Sequence, residues 1–383
     1  MSNSPFTVQE LVDHCISFLQ DSMSDLRACS LVARSWVYPA QAHLFRDSNL
    51  TNSDLTVFEN CMLWIQFSKT LHSSPHLIRH MRHLNIELHV APLSPLSRIC
   101  AFPFTHVQSV SIKLTGGITE PCALALQRLF SLPTLCRVTL KCSAISENFM
   151  QIWERCSPTI RHVDLSCTRE KEIRFPLPSL TLYRGAPLKL ESLSMQYLGT
   201  FDSQLIHAPG PFDLWHLKML RLGSKVGAAW QELAPKVQRL ETLDIVADRR
   251  PKALILADFL VASDNSTHPS PQIPLTVSMF PKIRQLRIIF PATATQIVIR
   301  RLLQQTLSGI GHSSMIRTIT IATDPPAFLD HDTCELLDSL LSGLPMPNLP
   351  TLELDMDPLG YDGTILHLPR MASRNLVVCV PPG

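Results

Sequence analysis

The sequence predicts an α/β fold in two parts, a small helical unit followed by a stacked repeat built around a curved parallel sheet. Three observations predict it. "TVQELVDHCISFL" and "SDLRACSLVARSW", near the N-terminus, space their apolar residues at helical intervals. From residue 76 onward the pattern apolar-x-x-apolar-x-apolar recurs ten times, at spacings of 23 to 33 residues with one gap of 43. Finally, hydrophobic residues make up 45% of the 383 and charged ones only 17%, enough apolar surface for a long core.

In the first segment, Thr7 followed by Glu10 fits a capping box, with Val8, Leu11, Val12, Cys15, Ile16, Phe18 and Leu19 on one face. "QDSMS" breaks the pattern, and Ser24 is the expected N-cap of the second helix. Read as one helix, residues 24–36 spread their apolar side chains over about 220° of arc, more than one core requires. Pro39 then opens a third short helix. Three helices in about 45 residues make too small a core to stand comfortably alone, so this unit should lean on a neighbour or a partner.

These residues resemble an F-box, in the form common in mushroom-type fungi. The resemblance is carried by Glu10-Leu11, the Asp25-Leu26 start, "CSLVARSW" at 29–36 and "HLFR" at 43–46. It implies docking on the Skp-family adaptor, and through it the cullin, of a ubiquitin ligase. By the same resemblance Leu11, Ile16, Leu26, Leu31, Val32 and Trp36 supply the helix packing and the adaptor-binding surface. Phe6-Thr7 stands where the family usually has Leu-Pro.

The repeat begins with Met81-Leu84-Ile86, Val107-Val110-Ile112 and Leu135-Val138-Leu140, and continues through Ile160, Leu190, Leu217, Leu240, Ile283 and Ile316 to Leu349-Leu352-Leu354. Strand geometry sends the interleaved residues to the opposite face. Of those thirty, only Met219, Val246, Ile289 and Ala322 are hydrophobic, where chance in this composition gives about thirteen. Stacked strands of this spacing resemble irregular leucine-rich repeats. Thr115, Ser143, Thr168, Asp248, Asp324 and Asp357 occupy several places usually held by asparagine, where short polar side chains can bond the turn backbone.

"TATQIVIRRLLQQTLSGIG" and "DHDTCELLDSLLSG" read as connecting helices, the second capped by Asp332 and Glu335 and ended at Gly343. Residues 54–74 read as a helix making a firm junction. The expected domains are therefore 5–47, helical; 48–75, connecting; and 76–383, solenoid, with an insertion at about 248–281.

Net charge is +2, which argues against nucleic acid or an anionic membrane as the partner. The start lacks a secretory signal, no apolar run is long enough to span a bilayer, and the eleven cysteines form no C-x-x-C pair, so an intracellular protein with reduced thiols is expected. His72, His76, His80 and His83 sit four, four and three apart, but Ser74-Pro75 opens a new helix between the first two, so surface imidazoles are expected there and no metal. No phosphate loop, nucleophile elbow or H-E-x-x-H occurs, and neither an enzyme nor a cofactor is expected.

The expected substrate-binding surface is the concave face, including Arg137, Thr139, Lys141, Asp164, Gln196, Arg221, Asp244 and Arg287. Together with the F-box resemblance, this implies a substrate-recognition subunit of a Skp-cullin-F-box type ubiquitin ligase that tethers a protein target. Two readings stay open beside it: a leucine-rich-repeat protein-binding scaffold without ligase coupling, and a hydrolase with its site between repeats.

Overall fold

The computed structural model describes residues 8–50, 57–88, 93–115, 118–143, 147–167, 185–196, 210–223, 233–247, 280, 282–291, 294, 296–307, 310, 315–324, 331–343, 351–355 and 377–380. The chain divides into two compact units, Met1–Leu188 and Lys189–Gly383. The sequence boundaries at 47 and 75 both fall inside the first. Phe6-Thr7, Thr168, Asp248, Asp357 and nearly all of the 248–281 insertion lie outside the described residues.

The first unit opens with α1 (Val8–Ser17), α2 (Met23–Val32) and α3 (Arg34–Leu44). Val12, Ile16, Leu26 and Ala40 form their closed core, with Leu19, Cys29, Trp36 and Leu44 packed against it. Two expectations are corrected here. Residues 24–36 are not one helix, because Ala33 is extended (φ −156°, ψ 155°) and separates α2 from α3. Pro39 does not open α3 but lies inside it. Lacking an N–H, it leaves the carbonyl of Ser35 one turn back without its helical donor. The side-chain amide of Gln9, from α1, donates to that oxygen at 3.1 Å. Helix α2 also begins earlier than expected, with Ser22 in the N-cap position and its hydroxyl donating to Asp25 at 2.7 Å.

The ladder of the first unit comprises β1 (Asp47–Leu50), β2 (His83–Leu88), β3 (Ser109–Leu114), β4 (Arg137–Cys142) and β5 (His162–Cys167), each parallel to the next. Parallel neighbours need a crossover. Among the described residues α4 (Val57–Ser73) with a 3-10 turn (Pro75–His80), α5 (Leu93–Cys100), α6 (Glu120–Phe130) and a 3-10 turn (Gln151–Arg155) lie in those crossovers. Leu84, Ile86, Val110, Ile112, Val138, Leu140, Val163 and Leu165 turn inward and are buried, worth about 1.5–3 kcal/mol each. Trp153, fully buried, packs tilted against Phe130 and edge-to-face with Phe149, at ring distances of 5.6 and 6.2 Å.

Threonines tie rung to rung. The hydroxyl of Thr115 donates to Leu88 O at 3.1 Å, as the turn reading expected, while Thr134 and Thr159 reach Val107 O and Leu135 O at 2.8 and 2.7 Å.

The helical unit leans on this ladder. Its last helix runs through Phe45 and Arg46 into β1, and Arg46 O accepts the N–H groups of Arg82 and His83 at 2.9 and 3.0 Å. The Tyr38 ring meets the edge of His80 at 4.8 Å, and the Arg79 guanidinium lies 4.9 Å from its centre.

The second unit carries β6 (Ser192–Gln196), β7 (Met219–Gly223), β8 (Thr242–Val246), β9 (Gln285–Pro291), β10 (Thr318–Asp324), β11 (Thr351–Asp355) and β12 (Val377–Val380), again parallel in order. Its described connecting helices are α7 (Gln296–Leu307) and α8 (His331–Ser342). Asp332 lies in the first turn of α8, not at its cap, and pairs with Arg300 of α7 at 3.2 Å. Gly343 ends α8 as expected, its N–H bonding Ser339 O at 3.1 Å. Each unit is thus a leucine-rich-repeat-like stack on a parallel sheet, preceded in the first by three helices.

Candidate protein-interaction surfaces

The helical unit separates its sequence-predicted residues into two sets. Ile16 and Leu26 are fully buried and Trp36 is half-buried against the same core, so these three hold the helices together. Leu31, Val32 and Leu11 are 86%, 67% and 55% exposed. Leu31 and Val32 end α2, where the break at Ala33 leaves them without a following turn to cover them. Phe18, Met23 and Tyr38 are also exposed, and the sequence reading did not single them out as contacts. Contiguous apolar patches are a common feature of interaction surfaces, whereas singly exposed apolar residues are ordinary.

The polar face of the first ladder is ordered in cross-strand rows. One row runs Asp47, His83, Ser109, Arg137, His162, and the next Asn49, Asn85, Ser111, Thr139, Asp164. A third places Glu87, Lys113, Lys141 and Ser166 side by side, with Lys113 and Glu87 paired at 2.6 Å. Arg137, Thr139, Lys141 and Asp164 are therefore adjacent on β4 and β5. Arg137 and Lys141 are exposed; Thr139 and Asp164 are half-buried.

In the second unit Ser194, Arg221, Asp244, Arg287, Thr320 and Glu353 share one row. Gln196 lies half-buried at the end of β6, outside that row. Asp244 is only 2% exposed, and among the described residues neither its Oδ1 nor the Nε of Arg221 has a hydrogen-bond partner. Burial raises the Asp244 pKa above the usual carboxylate value, while Arg221 and Arg287 on the flanking strands pull it the other way. Asp244 is thus no open contact. Three of the four hydrophobic exceptions to the alternation, Val246, Ile289 and Ala322, form a buried apolar cluster on this same side.

Among the described residues no group of three or more His, Cys, Asp or Glu side chains could hold a metal ion. His76 is exposed but His80 is buried, which lowers its pKa, with Arg79, His76 and Arg82 adding to the effect; it is not the surface imidazole expected. Burial pushes the thiols of Cys100 and Cys156 up to about 12 and that of Cys122 to about 11, so they stay protonated and poorly nucleophilic near neutrality. No described helix is long and apolar enough to cross a membrane.

No protein-family model and no curated protein matches the chain. Among solved structures, the yeast Rad7 and Elc1 complex aligns over 97% of this chain and 92% of that one, at 13% identity and a TM-score of 0.37. The solenoid assignment therefore stands on the strand ladder within each unit, where the ten expected rungs are present and each described pairing is parallel.

Proposed function

We propose that the chain is a substrate-recognition subunit of a Skp-cullin-F-box type ubiquitin ligase. The helical unit docks on a Skp-family adaptor, and the polar face of the repeats holds a protein target. The chain performs no bond chemistry; it raises the effective concentration of target lysines near the conjugating enzyme. The observation that carries the reading is the exposure of Leu31, Val32 and Leu11 on helices whose own core is already closed. A merely structural cap on the solenoid would have no use for them.

Co-expression with a Skp-family adaptor tests it. The unmutated chain co-purifies with the adaptor, and Leu31→Asp or Val32→Asp loses it while changing stability by no more than about 0.5 kcal/mol, as for other exposed sites. Trp36→Ala serves as the folding comparator: its half-buried indole packs against the helical core, so the cost falls below the about 3–5 kcal/mol of a fully buried aromatic. Failure of the unmutated chain to hold the adaptor overturns the ligase reading. The scaffold reading, favoured by Phe6-Thr7 in place of Leu-Pro, would then stand.

A further inference from the structure

Between α4 and α5 the first unit opens a cleft of about 530 Å³, lined by Ile65, Ser68, Lys69, His72, Ser73 and Arg98. Ile65, Ser68, Lys69 and His72 fall at helical intervals on one stripe of α4, and Arg98 comes from the last turn of α5. The lining holds three basic side chains and no acidic one. Among the described residues neither Lys69 nor Arg98 is in an ion pair.

His72 differs from an ordinary surface imidazole because its ring is fixed from two directions. Its Nδ1 lies 2.8 Å from Ser68 O. A carbonyl can only accept, so Nδ1–H donates to it, and an anion that draws a second proton onto the ring meets a directed donor at Nε2–H. The ring also meets Phe102 at 4.8 Å and 67°, and Phe102 in turn packs against the buried Phe104. Ser68, 6% exposed, adds a sheltered hydroxyl to the same wall. Two exposed cations, a fixed imidazole and the hydroxyls of Ser68 and Ser73 thus border one open concavity.

A lone carboxylate would leave this charge half-matched. A phosphomonoester carries nearly two negative charges at neutral pH and three strong acceptor oxygens, which suit an ammonium, a guanidinium fork and the Nε2–H of a protonated, directed ring together. We propose that this cleft binds the phosphoryl group of a phosphomonoester, with Lys69 and Arg98 supplying charge and His72 the oriented contact. The phosphoryl group can belong to a free small molecule or to a phosphorylated side chain. The site is separate from Leu31 and Val32 and does not depend on the ligase reading.

Calorimetric titration of the full chain with O-phosphoserine, and with a short neutral peptide carrying one phosphoserine, tests the proposal; acetate and unmodified serine are the comparators. Saturable binding of at least one phosphorylated probe is expected, with affinity reduced about tenfold or more by Lys69→Glu or Arg98→Glu, as for the loss of a charge-assisted contact. His72→Gln weakens binding severalfold without moving the melting temperature. Lys282→Ala, at an exposed site in the second unit, and Leu31→Asp leave it unchanged. Tighter binding of the peptide assigns the phosphoryl group to a phosphorylated protein; tighter binding of the amino acid assigns it to a free metabolite. No binding of either probe, binding retained in the Lys69→Glu/Arg98→Glu double variant, or equal binding of acetate overturns it.

Discussion

Burying a carboxylate costs free energy unless hydrogen bonds or opposite charge compensate it, and Asp244 sets that cost against a guanidinium on the strand at either side. Burial outweighs both arginines, so its pKa is raised in the folded chain. The protonated form is therefore the one that folding favours, and its contribution is fully present below the unfolded pKa of about 3.9. It is lost as pH rises through the folded value. Asp244→Asn removes the charge while keeping the shape. Urea titrations should find this variant more stable than the parent at pH 7, with the difference vanishing near pH 4; a variant less stable at pH 7 would show that the arginine pair outweighs burial. Alternation along β8 placed Asp244 on the polar face correctly but said nothing of its depth, which is set by what covers the strand. The same limit applies to the helices. Periodicity marks Ile16, Leu26, Leu31 and Val32 alike as apolar, and only three-dimensional packing divides them into two closed in a core and two in water.

Helix α3 shows how an element can be stable despite containing a residue that should break it. An interior proline costs about 3 kcal/mol relative to alanine, partly through the lost hydrogen bond, and here the orphaned Ser35 carbonyl is served by Gln9 from a different helix. The two effects should be coupled. Gln9→Ala is expected to cost about 0.5–1 kcal/mol in the parent, in the range of a single hydrogen bond. It should cost much less beside Pro39→Ala, which restores a backbone donor to Ser35. A double-mutant cycle followed by thermal unfolding measures the difference, and equal costs in both backgrounds would remove Gln9 from the account. None of this was legible in the sequence, where Pro39 looked like a helix start and nothing around Ala33, neither glycine nor proline, announced a break. The ten expected strands were legible because a repeat restates its period many times over. "DSNL" and "VVCV", which form β1 and β12, were missed because one is too polar and the other too isolated to declare a rung.

In the first unit as a whole, the helices and the ladder form one continuous piece of structure. Arg46 closes α3, its carbonyl is bonded to Arg82 and His83, and β1 begins at the next residue as the first rung. Tyr38 adds an aromatic and a cation–π contact to the 3-10 turn at Pro75–His80, together worth about 1–2 kcal/mol. A receptor that works by tethering needs this stiffness, since a target held at the end of a flexible joint samples a larger volume and meets the conjugating enzyme less often. Inserting about ten Gly/Ser residues between Arg46 and Asp47 converts the joint into a random coil. The proposed function then makes a separable prediction. Adaptor and target should each bind the inserted chain as before, because neither surface is touched, while target ubiquitylation in a reconstituted ligase falls severalfold. Unchanged ubiquitylation would mean that the junction serves stability alone, and that the lean of α3 on the first rungs exists to support a helical core too small to stand by itself.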